Sequence, residues 1–178
     1  MANAPCLLCL TLPAALIGST SGYAVTYLTV EQAQAALWPG VKLAETSVLL
    51  SPGQKKAVEK TAGIRVRQSE LKAWRTPDDG WFLVDLVMGK HEYITYAVAI
   101  TAGGEVAGLE ILDYRESYGG EIRNRRWLAQ FAGRNVASPL RLDQDIRNIS
   151  GATLSCRNIT DGVKRLLVTH DLVLKYLR

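Results

Sequence analysis

The residues best suited to chemistry form one short segment, residues 149–155, which reads ISGATLS. Ser150 is a good helix cap, and Gly151 allows the backbone to approach another group closely. Thr153 falls in or near the first turn of the following helix, where free backbone N–H groups and the helix dipole favour an anion. The segment therefore predicts a phosphate site that contains a hydroxyl group. A capped helix that binds nothing explains the same residues, and from the residues alone this simpler interpretation is favoured.

Other chemistries lack the residues that they need. His91, in a predicted turn, and His170, near the end of the chain, belong to no group with metal-ligand spacing. Ser117 and Ser155 have no paired histidine, which argues against a serine hydrolase. Cys156 is interpreted as a buried, inert thiol. The sequence also has no c-type haem motif, no iron–sulfur ligand set and no nicotinamide-binding glycine fingerprint.

The segment resembles the flavin-attachment motif of the FMN-binding domain family, which includes FMN-carrying subunits of the sodium-translocating NADH:quinone reductase and of the Rnf complex. In that family the last Thr of an SGAT run is esterified to the phosphate of FMN, and the matching residue is Thr153. The family's Glu-Thr-Pro-Gly loop near the isoalloxazine is matched loosely by residues 116–119. A strand at 108–113 and a helical stretch at 127–133 follow the family order. The resemblance covers about residues 91–167.

The resemblance implies FMN as the cofactor, attached by a separate flavin transferase that uses FAD as donor. It places the flavin between two segments, the loop and the start of the last helix. Tyr118 is the candidate for stacking on the flavin ring, although an exposed loop tyrosine fits its position equally well. The predicted cofactor-binding residues are Thr153 (covalent), Ser150, Gly151, Ala152, Leu154, Ser155, Glu116, Ser117, Tyr118 and Gly119.

The chain departs from the family pattern at two places. Arg147 stands where the family often has Asp, and Asp143 and Asp145 are the nearest acidic residues that can take its place. Ser-Tyr replaces the usual Thr-Pro of the loop. The helix N–H groups, together with Arg147 or Arg157, are the candidates for stabilising the phosphate charge.

Two early helices are predicted from their caps. Thr29 opens a T-x-x-Q capping box before the helix-forming run at 31–37. Ser51, followed by Pro at the first helical position, begins a second helix that runs through 55–60 and stops at Gly63.

Strands dominate the middle of the chain. Residues 64–67 alternate apolar and charged side chains, as in a half-buried strand. Residues 81–88 and 93–100 are rich in β-branched and aromatic side chains and predict a hairpin, and 106–114 predicts a further antiparallel strand.

The second half is helical and irregular. Residues 121–131 have helical content that Gly133 ends, and Trp127 and Phe131 are expected in the core. A last helix follows the ISGATLS segment, with one apolar face made of Ile159, Val163, Leu166 and Leu167. We therefore predict an α+β fold, a twisted antiparallel sheet flanked by helices on one side, with the flavin loop at one end.

Composition is that of one globular domain. The chain has 178 residues, 48% hydrophobic and 21% charged, with a net charge of +4. The arginine cluster at 123–126 is too small for a nucleic-acid interface, and is interpreted as a solvated face or as a docking point for an acidic redox partner.

The N-terminus predicts export to the periplasm or another extracytoplasmic compartment. Residues 6–18 form an apolar run, no Lys or Arg precedes Lys42, and Gly22-Tyr23-Ala24 resembles a cleavage site. We expect a signal peptide over 1–24 and a single domain over 25–178 that begins with a helical extension. An uncleaved membrane anchor and a buried element stay as alternatives.

The leading hypothesis is an exported electron-transfer flavoprotein with FMN on Thr153. It would be a carrier or redox subunit rather than a stand-alone enzyme, with membrane electron-transport proteins as partners. The alternatives are an exported binding or sensing module that holds FMN non-covalently or not at all, and an interaction domain that shares only the helix start.

Overall fold

The structure is a computed structural model, and it describes residues 25–177, so the predicted signal segment lies outside the described residues. The strands are β1 (Val25–Thr26), β2 (Ala44–Leu49), β3 (Glu70–Arg75), β4 (Trp81–Met88), β5 (Tyr93–Ile100) and β6 (Val106–Tyr114). The α-helices are α1 (Val30–Leu37), α2 (Pro52–Ala62), α3 (Arg125–Leu128) and α4 (Thr153–Leu172). Within this part of the chain, no helix combines the length and the apolar character that a bilayer crossing needs.

The six strands form one antiparallel sheet in the order β1-β6-β5-β4-β3-β2. The central hairpin is the one predicted from the sequence, and it pairs Trp81 with Ile100 and Met88 with Tyr93. Together with the flanking helices, this sheet confirms the predicted α+β class.

Successive side chains of a strand point to opposite faces, and both faces of this sheet are covered. Leu83 lies in the larger core with α2 and α4, whereas Phe82, next to it, packs in a smaller cluster with Ala33 of α1. The expectation that the helices lie on one side is therefore corrected, because α1 covers the opposite face.

The predicted helix caps are present. Thr29 Oγ1 accepts from Gln32 N (3.2 Å), while the Gln32 side chain accepts from Thr29 N (2.9 Å). Ser51 and Gln54 make the same reciprocal pair before α2, which ends at Gly63 as expected. Local hydrogen bonds therefore fix where both helices begin.

Two predictions in the strands and helices are wrong in detail. Residues 64–67 are not a strand, because the Val66 N–H donates to the Glu59 side chain (2.8 Å) and not to a neighbouring strand. The helical stretch at 121–131 is broken into α3 between two 3₁₀ turns, because the Asn124 side chain accepts from Arg126 N (2.9 Å) and starts a new helix.

A buried polar triad joins α4 to the hairpin. The Tyr96 hydroxyl donates to Asp85 Oδ2 (2.6 Å), and Arg165 of α4 forms an ion pair with the same oxygen. Complete burial, followed by the charge of Asp85, raises the pKa of Tyr96 well above its ordinary value, so the hydroxyl stays protonated. The side chains of Arg165 and Asp85 are only 11% and 15% exposed.

We expect Arg165→Met to lower the free energy of unfolding by about 3 kcal/mol, because it leaves the carboxylate of Asp85 buried without its partner. Urea denaturation at neutral pH measures the change. The control is Arg157→Met, an exposed position on the same helix. Equal losses in the two variants would contradict a structural role for the triad.

His170 is buried in α4 against the turn that follows β5. Its side chain is 3% exposed, and its Nε2 has no hydrogen-bond partner in the described structure. Burial, together with the charge of Lys175, lowers the pKa of His170. The folded state therefore favours the neutral imidazole, and stability is lost as the pH falls below the ordinary histidine value of about 6.5.

We expect His170→Gln to weaken the loss of stability between about pH 7 and about pH 5, since one proton fewer is taken up on unfolding. Urea denaturation across this range measures the slope of stability against pH for each protein. His91→Gln, at an exposed turn position, is the control. An unchanged slope in the His170 variant would show that this imidazole does not titrate on unfolding.

Candidate functional site

Three segments that are distant in sequence meet at one end of the sheet around a cavity of about 520 Å³. They are the β4–β5 turn, the loop after β6 and the start of α4. The volume lies in the range of small-molecule and cofactor sites. The cavity is lined by Lys90, His91, Glu116, Ser117, Tyr118, Gly151, Ala152, Thr153, Leu154 and Ser155.

A tight turn leads into α4. Ala152 N donates to Ile149 O (3.0 Å), and Gly151 has φ +82°, which fits the third position of a type II turn. The prediction that Ser150 caps the helix is wrong, because Ala152 is the cap residue and no side chain caps this end. Ser150 is exposed and lies outside the cavity lining. The first-turn N–H groups of α4 are therefore free of a side-chain cap and available to an anion.

Thr153 is the first residue of α4 and is half-buried in the cavity wall. Its Oγ1 accepts a hydrogen bond from Asn148 Nδ2 (3.1 Å). Asn148 was missed in the sequence because a spacing of five residues across a turn matches no helix or strand period. A signal was nevertheless present, since Asn side chains commonly bond to the backbone or to nearby groups around turns.

Glu116 ties the loop to the β4–β5 turn. Its Oε1 accepts from His91 N (2.6 Å) and from Glu92 N (3.1 Å). Desolvation opposes ionisation, but the backbone hydrogen bonds outweigh it and lower the pKa of Glu116. The carboxylate therefore lines the cavity, and its charge is already satisfied by the protein backbone.

The rest of the loop is fixed against α4 through its backbone. The Tyr114 hydroxyl donates to Tyr118 O. Gly119 has φ +86°, and a Cβ there would lie 2.6 Å from the Cβ of Ala152, so a side chain has no room. Gly119 thus sets the approach of loop and helix rather than lining the cavity. The Tyr118 ring, 84% exposed, stands at the cavity mouth, where stacking on a bound ring is sterically open.

The charged residues at the cavity differ from those predicted. Lys90 and His91 line it, whereas Arg147 and Arg157, the expected phosphate partners, do not. The acidic residues near Arg147 are also outside the lining, and the carboxylate of Asp145 instead accepts from Arg141 N (3.0 Å).

Other predicted residues serve the core. Trp127 and Phe131 are buried with ring centroids 5.2 Å apart, as expected of core aromatics. Cys156 is buried, and this burial raises the pKa of its thiol, in agreement with the prediction of an inert side chain.

Volume alone does not select this cavity, because two others in the described part of the chain measure about 530 and 510 Å³. One lies beside Trp127 and the other between β3, β4 and α4. Of these three cavities, the one at the start of α4 brings the Thr153 hydroxyl together with an uncapped helix N-terminus.

Comparison with known families identifies the class of protein. Residues 89–168 match the model of the FMN-binding domain family. The chain thus contains an FMN-binding domain and is a flavoprotein with FMN as its cofactor. This range includes every residue of the cavity lining, and it agrees with the range inferred from the sequence.

Among solved structures, the chain resembles a subunit of the Na⁺-translocating NADH-quinone reductase from Parabacteroides distasonis. The two are 12% identical, the TM-score is 0.53, and the similarity covers 85% of this chain and 87% of that one. At this identity the likeness establishes the shared fold. A search of curated protein sequences gives no significant match.

The contact of Glu116 with the hairpin turn gives a prediction that is independent of flavin. Glu116→Ala should lower the hydrogen-exchange protection of the His91 and Glu92 amides roughly tenfold or more, because hydrogen bonds to a charged group contribute about 1.5–3 kcal/mol. Glu92→Ala, which removes an exposed side chain from the same turn, is the control. Unchanged protection in the Glu116 variant would show that the turn holds its shape without the carboxylate.

Proposed function

We propose that the protein is an electron carrier that holds FMN through a phosphoester to Thr153 Oγ1. The observation that carries the proposal is the position of this hydroxyl. It lies on the first residue of α4, in the wall of a cofactor-sized cavity, within the segment that matches the FMN-binding domain. A hydroxyl at an uncapped helix start is where a phosphate and an ester oxygen can both be accommodated.

The surroundings of Thr153 suit a phosphodiester, which carries one negative charge. The first-turn N–H groups and the positive end of the dipole of α4 face such an anion. Lys90 and His91, across the cavity, supply donors from the hairpin turn. The residues of the cavity therefore fit the phosphate end of FMN.

The mouth of the cavity suits the flavin ring. Tyr118 and Leu154 are exposed there, 84% and 45%, and both present apolar surface beside the lining. When bound, the isoalloxazine supplies the electron chemistry, and the protein holds and orients it. An ester bond keeps the cofactor attached where free FMN would diffuse away.

Attachment is proposed to be the work of a separate flavin transferase with FAD as donor. In that reaction the bond between Thr153 Oγ1 and the FMN phosphorus forms and the pyrophosphate P–O bond of FAD breaks. AMP leaves with the bonding electron pair, and the hydroxyl proton passes to a base of the transferase or to water. This chain is the acceptor of the flavin in this scheme.

Export and the redox partners are part of the proposal. The apolar run at 6–18 and the small residues at 22–24 support an export signal, and an uncleaved run would act as an anchor. All three arginines of the cluster at 123–126 are exposed, and their charge suits an acidic partner. We propose that this partner is a membrane electron-transport component.

The covalent bond predicts a specific mass. Wild-type protein from its own host, measured after denaturation, should be heavier than the mature chain by the mass of FMN less one water. Thr153→Ala should lose this increment and the flavin fluorescence of the denatured band, whereas Thr153→Ser should keep both because the acceptor hydroxyl remains. Ser150→Ala should also keep both, since that side chain is exposed outside the cavity.

Each outcome separates the candidate functions. If the wild type releases its flavin on unfolding, the hypothesis of a covalent carrier is wrong and the protein is a non-covalent FMN-binding module. Flavin that stays bound in denatured Thr153→Ala would place the ester on another residue. Reversible bleaching and recovery of the flavin absorbance with a chemical reductant and oxidant tests the carrier role.

A further inference from the structure

Both the nitrogen and the oxygen of the Asn148 side-chain amide are hydrogen-bonded. Its Nδ2 donates to Thr153 Oγ1 (3.1 Å), and its Oδ1 accepts from Ile149 N (2.8 Å). The second bond settles the orientation of the amide, because the opposite orientation would set a donor against the Ile149 N–H. The N–H of Asn148 is therefore the group that faces the threonine hydroxyl.

This hydrogen bond restricts what the hydroxyl can do. One lone pair of Thr153 Oγ1 accepts the Asn148 N–H, so the hydroxyl proton and the other lone pair point elsewhere. Thr is β-branched and has few χ1 states in a helix, which makes one bond enough to favour a single rotamer. Since Thr153 lines the cavity, the free lone pair is available to a phosphorus atom held there.

We propose that Asn148 is a positioning residue for flavin attachment, which aims Thr153 Oγ1 at the incoming phosphoryl group and then donates to the ester. The inference rests on the proposed covalent function. The same N–H is suited to both stages. Oγ1 remains an acceptor after its proton leaves and its bond to phosphorus forms, and the phosphodiester adds an anionic acceptor next to it.

Within the described residues, no other side chain is hydrogen-bonded to the Thr153 hydroxyl. The acidic residues expected to replace the family's Asp, Asp143 and Asp145, make no hydrogen bond to Thr153, and the carboxylate of Asp145 accepts from Arg141 N (3.0 Å). Arg147 is exposed, and its backbone N–H donates to Gln130 (2.8 Å). Asn148 is the side chain hydrogen-bonded to Thr153 within residues 25–177.

The structural and positioning roles of Asn148 are separable. Asn148→Asp keeps an oxygen that can accept from Ile149 N, but it replaces the donor by a carboxylate beside the phosphoryl group. Asn148→Ala removes both contacts and adds no charge. Gln144→Glu makes the same amide-to-carboxylate change at an exposed position outside the cavity and is the matched control.

The test measures the initial rate of flavin transfer to each purified chain, from FAD, with a transferase that labels the wild type. Denatured mass and in-gel fluorescence report the product, and circular dichroism with thermal melting reports folding. Asn148→Asp should slow transfer roughly tenfold or more at neutral pH, since a charged-group hydrogen bond is replaced by repulsion. Gln144→Glu should transfer at the wild-type rate.

The pH profile distinguishes positioning from folding. For Asn148→Asp, the rate relative to wild type should rise as the pH falls from about 7 to about 4, because the carboxyl, with an ordinary pKa of about 3.9, becomes protonated in this range and can donate again. For Asn148→Ala the rate should be reduced and its ratio to wild type should stay flat. Melting temperatures should not track the rates.

The results that overturn the inference are distinct from those that overturn the proposed function. If the wild type is labelled and Asn148→Asp accepts flavin at the same rate, Asn148 has no positioning role, and the proposal of covalent attachment is unaffected. A reduced rate that does not change with pH in the Asp variant and follows the melting temperature reduces Asn148 to a structural residue. If no flavin transferase labels the wild type, both the inference and the proposed function are overturned.

Discussion

Packing of α4 against the central hairpin determines where the proposed flavin site lies. Ile159 and Val163 are fully buried between the helix and the sheet, and the ion pair of Arg165 with Asp85 fixes the same helix about three turns from its start. A shift of α4 along its axis would expose apolar surface and separate a buried charge pair, both of which are costly. The position of Thr153 is therefore set by contacts well away from the cavity.

The cavity itself is assembled through backbone contacts between segments that are far apart in sequence. Glu116 bonds to amides of the hairpin turn, Tyr114 bonds to a carbonyl of the loop, and Gly119 allows the loop to touch Ala152. Such contacts fix the path of the chain and leave the exposed side chains free. The floor of the cavity is thus held by hydrogen bonds while its mouth stays open, where a transferase or a redox partner would reach the proposed flavin.

Features set by local interactions could be predicted from the sequence, and features set by distant contacts could not. The capping boxes and the central hairpin involve residues a few positions apart. Strand β2 has a single buried side chain, Val48, so its pairing with β3 leaves little trace in the hydrophobic pattern of the sequence. The alternation at 64–67 led to a wrong strand prediction, because no strand lies beside these residues. The ten predicted site residues fall on two of the three segments that meet at the cavity, but Ser150 and Gly119 do not line it, because their positions depend on backbone angles that composition does not reveal.

The cavity must tolerate two negative charges if it binds FMN, the carboxylate of Glu116 and the phosphate. Two anions in a partly buried site would repel strongly if both relied on the same donors. Here the donors are divided: the hairpin amides of His91 and Glu92 serve Glu116, while the uncapped first turn of α4 is left for the phosphate. Desolvation opposes ionisation of Glu116, but the hydrogen bonds from these amides lower its pKa and favour the carboxylate. The absence of a side-chain cap on the longest helix of the described chain therefore makes physical sense, because a capping carboxylate or hydroxyl would occupy the N–H groups that the second anion needs.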